Sequence, residues 1–375
     1  MGDFTERVKR KNKYNLSKLP LTISAKYGLV DQITFFNKIV ASTDMSNYYL
    51  LKKGEFAYNK SYSNDYPWGA IKRLDNYEQG VLSALYICFT TQDNVESDFI
   101  LQYFESPKWH KSVSEIAVEG ARNHGLLNIS VQDFFQTYHY VPKEKKEQTK
   151  IATLLHLIDE RISTQNKIIE KLESLIKGIC NNYFLKLSHS QEMKSIRLGD
   201  ILKERNEYCC KDGTFVHGTL SKDGLFPKTE RWNRDFLVKE ENKKYKITHL
   251  DDICYNPANL KFGVICRNIY GDLIFSPIYV TFEVSKKVNI GFIELYLTNR
   301  NFIEKIRKFE QGTVYERMSV SPEDFLSYKI RIPSLSEQTF FYQKIQRLKN
   351  CSQNELEHLN LYKKLRQYLL RQMFI

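Results

Sequence analysis

The sequence holds no run of about 18 consecutive apolar residues, the length a membrane-spanning helix needs, so no segment is expected to cross a bilayer. Its seven cysteines (Cys88, Cys180, Cys209, Cys210, Cys254, Cys266 and Cys351) are odd in number and form no Cys-x-x-Cys. That argues against a disulfide framework or a zinc ribbon and for reduced thiols in a cytoplasmic protein. No Gly-Lys-Ser/Thr occurs, so nucleotide hydrolysis on a P-loop is unsupported. Gly54 and Gly69 stand alone, with no glycine-rich loop after a strand to cradle a cofactor. The eight histidines, His110, His124 and His217 among them, show no metal-ligand spacing with cysteine, and no metal site is expected. The first residues carry Asp3, Glu6, Arg7, Lys9, Arg10 and Lys11, which is not the pattern of a signal peptide.

What the chain has in excess is positive charge, +12 with a pI of about 9.1. A surplus of that size points to a polyanionic partner, nucleic acid being the commonest. Hydrophobic residues make up 42% and aromatics 13%, enough for well-packed cores, and 375 residues leave room for two domains and a connector.

The most ordered pattern lies at 148–184. Ile151, Leu155, Ile158, Ile162, Gln165, Ile169, Leu172, Ile176 and Ile179 follow one another in alternating steps of four and three, a heptad seam with one polar break at Gln165. No proline interrupts it. At 1.5 Å per residue this stretch spans about 55 Å as a helix. An apolar stripe of that length is left wet unless a second helix covers it.

A second copy of the same pattern closes the chain. Glu337-Gln338-Thr339 repeats Glu147-Gln148-Thr149, and the helix after it carries Phe341, Ile345, Leu348, Leu356, Leu359, Tyr362, Leu365 and Leu369, with Ser352 and Glu355 in places where the first copy is apolar. Pro142 and Pro333 precede the two helices, and Ser336 is the expected N-cap of the second. The predicted seam of an antiparallel pair is Ile151, Leu155, Ile158, Ile162, Ile169, Leu172 and Ile176 against Phe341, Ile345, Leu348, Leu359 and Leu369.

The blocks before the two helices also correspond. Glu6-Arg7 matches Glu204-Arg205, Tyr58-Asn59 matches Tyr255-Asn256, Glu119-Gly120 matches Gln311-Gly312, and Val131-Gln132-Asp133-Phe134 matches the run Ser321 to Phe325. Strand-like runs at 84–89 and 277–282 are each followed by a short helical pattern, at 97–104 and 290–297. The chain therefore reads as a duplication of mixed α/β (α+β) blocks and long helices: residues 1–141, 142–187, 188–333 and 334–375. The one piece without a counterpart is about 186–198, which places the chain start and chain end near each other, as in a ring of two modules cut at one connector.

Two blocks, each leading through a proline and a Glu-Gln signature into a long helix, resemble the specificity subunits of type I restriction–modification enzymes. Pro142, Glu147-Gln148-Thr149-Lys150-Ile151-Ala152, Leu157-Ile158-Asp159, Pro333 and Glu337-Gln338 carry the resemblance, together with Gly120, Gly312, Asp133-Phe134 and Asp324-Phe325. It covers essentially the whole chain. Two departures are Lys143-Glu144-Lys145-Lys146, more basic than the usual junction, and Phe340-Phe341-Tyr342, where Lys-Ile-Ala is usual. The resemblance implies a subunit that does no chemistry. Each block would be a target-recognition domain reading one half of a bipartite, asymmetric site in double-stranded DNA. The antiparallel helix pair would set the spacing and help dock two adenine-N6 methyltransferase subunits. S-adenosylmethionine, and the ATP and Mg of translocase–nuclease subunits that can join, would belong to those partners.

Phosphate contacts call for Lys and Arg, and base edges for Arg, Lys, Asn, Gln and Ser. In the first block the candidates are Arg7, Lys9, Arg10, Lys11, Asn12, Asn59, Lys60, Ser61, Tyr62, Ser63, Asn64, Lys72, Arg73, Arg122 and Asn123. In the second they are Arg205, Asn206, Ser221, Lys222, Asn256, Asn259, Lys261, Arg267 and Arg317. Arg7 with Arg205 and Asn59 with Asn256 are the pairs expected to share a docking mode. Two catalytic readings are weaker. Asn256-Pro257-Ala258-Asn259 lacks the second proline and the aromatic of an adenine-methyltransferase motif, and Asp133 with Glu144-Lys145-Lys146 has only loose nuclease spacing. A stand-alone modification or restriction enzyme and a coiled-coil scaffold remain as alternatives. Salt-sensitive DNA binding separates the scaffold from a DNA reader.

Overall fold

The computed structural model describes residues 1–24, 27–38, 41–117, 125–191, 193–210, 214–228, 244–311 and 319–374. The chain forms two compact units. The first comprises Met1–Asn166 with Glu357–Ile375 and the second Lys167–Leu356, so the division falls inside both long helices.

The first unit contains β1 (Thr5–Arg7), β2 (Leu21–Ser24), β3 (Gly28–Asp31), α1 (Gln32–Phe36), β4 (Tyr49–Lys52), β5 (Phe56–Asn59), β6 (Ala70–Arg73), β7 (Gln79–Leu82), β8 (Ile87–Thr91), α2 (Ser97–Glu105), α3 (His110–Ile116), α4 (Val131–Gln136) and the first part of α5 (Lys145–His189). The second continues with β9 (Lys194–Arg197), β10 (Leu202–Glu204), β11 (Tyr208–Cys209), β12 (Val216–Ser221), β13 (Gly224–Pro227), β14 (Tyr245–Thr248), β15 (Ile253–Tyr255), β16 (Ile265–Arg267), β17 (Leu273–Phe275), β18 (Val280–Val284), α6 (Ile290–Leu297), α7 (Arg300–Ile306), α8 (Pro322–Ser327), β19 (Lys329–Ile332) and the first part of α9 (Leu335–Gln372).

Each unit is built on the same four-stranded sheet, β1-β8-β5-β6 in one and β10-β18-β15-β16 in the other. Alternation along the strands sorts side chains onto two faces. Phe56, Tyr58, Ile87 and Phe89 point into a core shared with α2, α4 and α5, while Ala57, Ala70 and Cys88 face a second core against β2, β3, β4 and β7. The other unit repeats the rule: Ile253, Tyr255, Val280 and Phe282 face the helices and Cys254 faces the far side. Tyr58 stacks on Phe134 at 5.1 Å, and Tyr255 on Phe325 at 4.9 Å. Ser130 and Ser321 cap α4 and α8 by accepting from the amides of Asp133 and Asp324, which fixes the matching phenylalanines. The far lobes differ. The first unit has two two-stranded sheets, the hairpin β2-β3 and the pair β4-β7, whereas the second has a five-stranded sheet, β11-β14-β17-β12-β13.

Register corrects one sequence match. Arg7 lies opposite Phe89 and Glu204 opposite Phe282. The amides of Val8 and Arg205 donate to the carbonyls of Cys88 and Thr281 in the same way, both at 2.9 Å. Arg7 is thus equivalent to Glu204, and Arg205 to Val8. A slip of one residue turns a side chain to the opposite face, so the expected Arg7–Arg205 pair does not exist.

The Glu-Gln signature has a structural explanation. Gln148 is buried; its Nε2 donates to the Pro142 carbonyl at 2.7 Å and its Oε1 accepts from the Glu96 amide at 2.7 Å. Gln338 does the same with Pro333 and Asn289, both at 2.9 Å. Each carboxamide therefore ties a long helix to the residue just before α2 or α6 and to the proline of the junction. Helix α9 starts with a capping box made by Ser334 and Glu337, so the cap is Ser334 and not the expected Ser336.

Within the first unit the helices run antiparallel. Ile151 and Leu155 share a core with Leu370 and Phe374, Asp159 accepts from Arg366, and Arg161 reaches Tyr362. Ile158 and Leu359 are buried too. Leu370 takes the deep position expected of Leu369, which is half-buried, and Leu365 is exposed. Within the second unit Tyr183 stacks on Phe341 at 3.9 Å, and Phe184 and Leu187 share a core with Ile345. Ile162, Ile169, Leu172, Ile176 and Leu348 are half-buried. Met1 and Phe374 lie in one core, with the Met1 amino group donating to the Thr137 carbonyl. The stretch without a counterpart supplies β9, which pairs with β19; the equivalent residues 138–141 form no strand, and Tyr138 and Tyr140 are exposed.

One contact separates the two junctions. The Tyr342 ring lies on Gly291 of α6, where a Cβ would come within 2.2 Å of it. The equivalent residues in the first unit are Ala152 and Asp98, which border a groove of about 540 Å³ with Leu101, Gln102 and His156. Gly291→Ala is therefore expected to destabilise the chain by roughly 1–3 kcal/mol through overpacking, and Tyr342→Ala in the same chain to remove most of that penalty; urea unfolding of the four members of the cycle checks it. Gln148→Ala strands a buried amide and a carbonyl and should cost about 2 kcal/mol or more in the same measurement.

Candidate nucleic-acid interface

A side chain that is to meet phosphate or a base edge must not already be fully used inside the protein. Several expected contacts are. Asn12 is buried, its Nδ2 donating to the carbonyls of Ser17 (2.9 Å) and Met45 (3.3 Å) while its Oδ1 accepts from the Ser17 amide (2.9 Å). Arg10 pairs with Glu55 at 2.6 Å, Lys72 with Glu105, and Arg73 with Asp75 and Asp98, both at 2.7 Å. These cations hold the sheet and its loops together. Lys11 donates to the Asn47 carbonyl and lies 3.8 Å over the Tyr49 ring, to which Arg7 also donates through Tyr49 Oη. Lys60 donates to the Ile129 carbonyl at 3.2 Å, and its burial pulls its pKa below the usual lysine value.

In the second unit Arg205 is held by Asp252, Glu207 and Glu283, and Arg267 by Asp251. Asn256 is buried and caps a 3₁₀ turn by accepting from the Ala258 amide, so the Asn-Pro-Ala-Asn run forms that turn. Asp133 is likewise engaged by Ser130 at the start of α4. Asn259 is half-buried in the same turn, Lys261 lies 5.3 Å over the Phe262 ring, and Ser221 sits with exposed Lys222 at the β12–β13 turn.

The exposed candidates are Lys9, Asn206 and Lys222, together with Ser61, Tyr62, Ser63 and Asn64 in the loop between β5 and β6. Asn59 supports that loop by accepting from the Ser61 amide. Arg122, Asn123 and Arg317 lie outside the described residues, as do Glu119, Gly120 and Gly312. Among the described residues no group of three or more His, Cys, Asp or Glu side chains is placed to hold a metal, and no helix is long and apolar enough to cross a membrane.

An exposed tip begins immediately after Asn12, the last of the N-terminal candidates. Lys13, Tyr14, Asn15 and Leu16 follow the buried Asn12 and are all exposed, Tyr14 to 94% and Leu16 to 64%. Tyr14 and Asn15 have φ of 61° and 50°. Left-handed backbone at non-glycine residues costs roughly 1–2 kcal/mol each, so the surrounding contacts must impose it. The alternation of Asn and Lys around one tyrosine was the available signal.

His249 bridges two carboxylates, with Nδ1 2.8 Å from Asp272 and Nε2 3.1 Å from Glu207. Burial opposes its protonation, but the hydrogen bonds the ring donates to the two carboxylates outweigh it, and the pKa lies above 6.5. Protonation in the folded state therefore adds stability that is complete below pH 6.5 and disappears as pH rises through the folded pKa. His249→Gln is expected to remove that pH dependence just above 6.5; thermal unfolding of both chains between pH 6 and 8.5 reads it.

No protein-family model matches the chain, and no curated protein sequence does. Solved structures do. A chain from a type I restriction–modification system, studied for its complex assembly and conformational transition, aligns with a TM-score of 0.59 at 13% identity over 99% of this chain and 95% of that one. The type I S subunit of M. genitalium gives 0.52 at 15% identity over 100% and 94%. HsdS from Thermoanaerobacter tengcongensis gives 0.52 at 14% identity over 100% and 95%. Along essentially its whole length, the chain has the fold of the type I restriction–modification specificity subunits.

Proposed function

We propose that the protein is the DNA-specificity subunit of a type I restriction–modification system and does no chemistry of its own. The observation that carries this is the duplicated sheet and helix core, shared by both units, beneath two lobes of different architecture. A common core suits docking to two copies of one partner, and unlike lobes suit two different half-sites. The surplus of 12 positive charges agrees with a DNA ligand.

In this reading each block reads one half of an asymmetric, bipartite duplex site. The 45-residue α5, about 68 Å long at 1.5 Å per residue, and α9 set the spacing between the halves. Two adenine-N6 methyltransferase subunits dock on the helix regions, and translocase–nuclease subunits can join them. S-adenosylmethionine, ATP and Mg are bound by those partners, and the complex works in the cytoplasm. Two sets of base contacts are needed because a single set of a few base pairs discriminates poorly within a genome.

Co-expression with a type I methyltransferase subunit that binds it, followed by mapping of N6-methyladenine across the genome, tests the reading. One split and asymmetric motif is expected; a continuous or palindromic motif would sink it. Inserting one heptad into α5 should lengthen the spacer and leave both half-sites unchanged. A change in the halves themselves would show that the helices do more than set distance.

A further inference from the structure

We infer that the turn at residues 12–17 is a preformed base-reading element for double-stranded DNA, and that it gives the first unit part of its half-site. This rests on the DNA-recognition reading above and names the surface that does the reading. The turn belongs to the far lobe, the part of the unit that the second unit does not reproduce, so it can confer a specificity of its own.

Its geometry is fixed before any ligand arrives. Asn12 closes the turn from inside through Ser17 and Met45, its own amide donates to the Tyr48 carbonyl, and the Asn15 amide donates back to the Asn12 carbonyl at 3.0 Å. Asn15 is exposed, and its carboxamide carries both a donor and an acceptor. A carboxamide presented at such a tip can donate and accept at once, as the major-groove edge of adenine requires. Tyr14 offers a ring and a hydroxyl with almost no contact to the rest of the protein, and Leu16 offers an apolar surface of the kind that meets a thymine methyl or wedges against a base step. Lys13 and Lys18 flank them and are exposed, as phosphate contacts must be. An anchored, strained turn with these side chains loses little conformational freedom on binding, which is how contact is converted into discrimination.

Glycine is the informative substitution here. It accepts the left-handed backbone at 14 and 15 without strain while removing the side chain, and an unchanged urea midpoint shows that the variant chain is still folded. The full chain in complex with its methyltransferase subunit is titrated with a 40-base-pair duplex carrying the methylated motif and with the same duplex scrambled in one half. Tyr14→Gly and Asn15→Gly are each expected to lower the preference for the motif about tenfold or more, to relax the methylated motif in cells at one half only, and to leave scrambled-duplex binding unchanged. Lys13→Ala with Lys18→Ala should instead weaken both duplexes alike and flatten the slope of log affinity against log salt by about 2.

If both glycine variants keep the wild-type preference and motif, the inference is overturned. It is equally overturned if they bind DNA normally but shed the methyltransferase subunit, since the tip would then be a protein contact. Failure of the parent reading looks different: the wild-type complex itself would bind motif and scrambled duplexes equally.

Discussion

Two buried carboxamides set how each block is mounted on its helix. Gln148 and Gln338 each bond to a proline carbonyl on one side and, on the other, to the amide of the residue that precedes a sheet-packed helix. A primary amide carries its donor and its acceptor on two separate atoms and no charge, so it can serve a carbonyl and an N–H in different directions at once. A carboxylate there would have no proton to offer the proline, and an aliphatic residue would leave two buried backbone groups unpaired. The orientation of each block on its own helix is thus set by two hydrogen bonds, and the apolar cores behind them supply the bulk of the attraction. The two functions are separable. The cores hold the parts together, while the amides choose the angle at which they meet.

The same separation runs through each sheet. One face carries Phe56, Tyr58 and Phe89, or Tyr255 and Phe282, and is packed by helices. The other carries small residues such as Ala57, Ala70, Cys88 and Cys254, against which a lobe of almost any strand arrangement can be laid. A close-packed aromatic layer tolerates little change, whereas a flat layer of small side chains imposes few demands on its cover. The repeated core and the unlike lobes follow from that difference in packing.

The long helices, the duplication and the helix-side residues of each block were legible in the sequence, because a seven-residue period and a repeated Pro…Glu-Gln are local signals. The α2 and α6 segments were visible for the same reason. Residue type served less well for the interface. It selected Arg73, Arg205 and Arg267, which long-range pairing with Asp98, Asp252 and Asp251 removes from the surface, and Asn12, whose amide is closed by Ser17 and Met45. Nothing local distinguishes a guanidinium facing solvent from one facing a carboxylate 47 residues away. The match of Arg7 to Arg205 failed because a strand of three residues carries too little pattern to fix register, and only the ladder opposite Phe89 and Phe282 does so.

The Tyr342–Gly291 contact makes the two block–helix junctions non-interchangeable. A block from the first position, grafted before α9, would set the Asp98 carboxylate beneath a tyrosine ring; a block from the second, grafted before α5, would lay Gly291 over Ala152 and leave a void. Each block is thus matched to the helix it precedes, and exchanging the two within the chain would cost packing at both junctions.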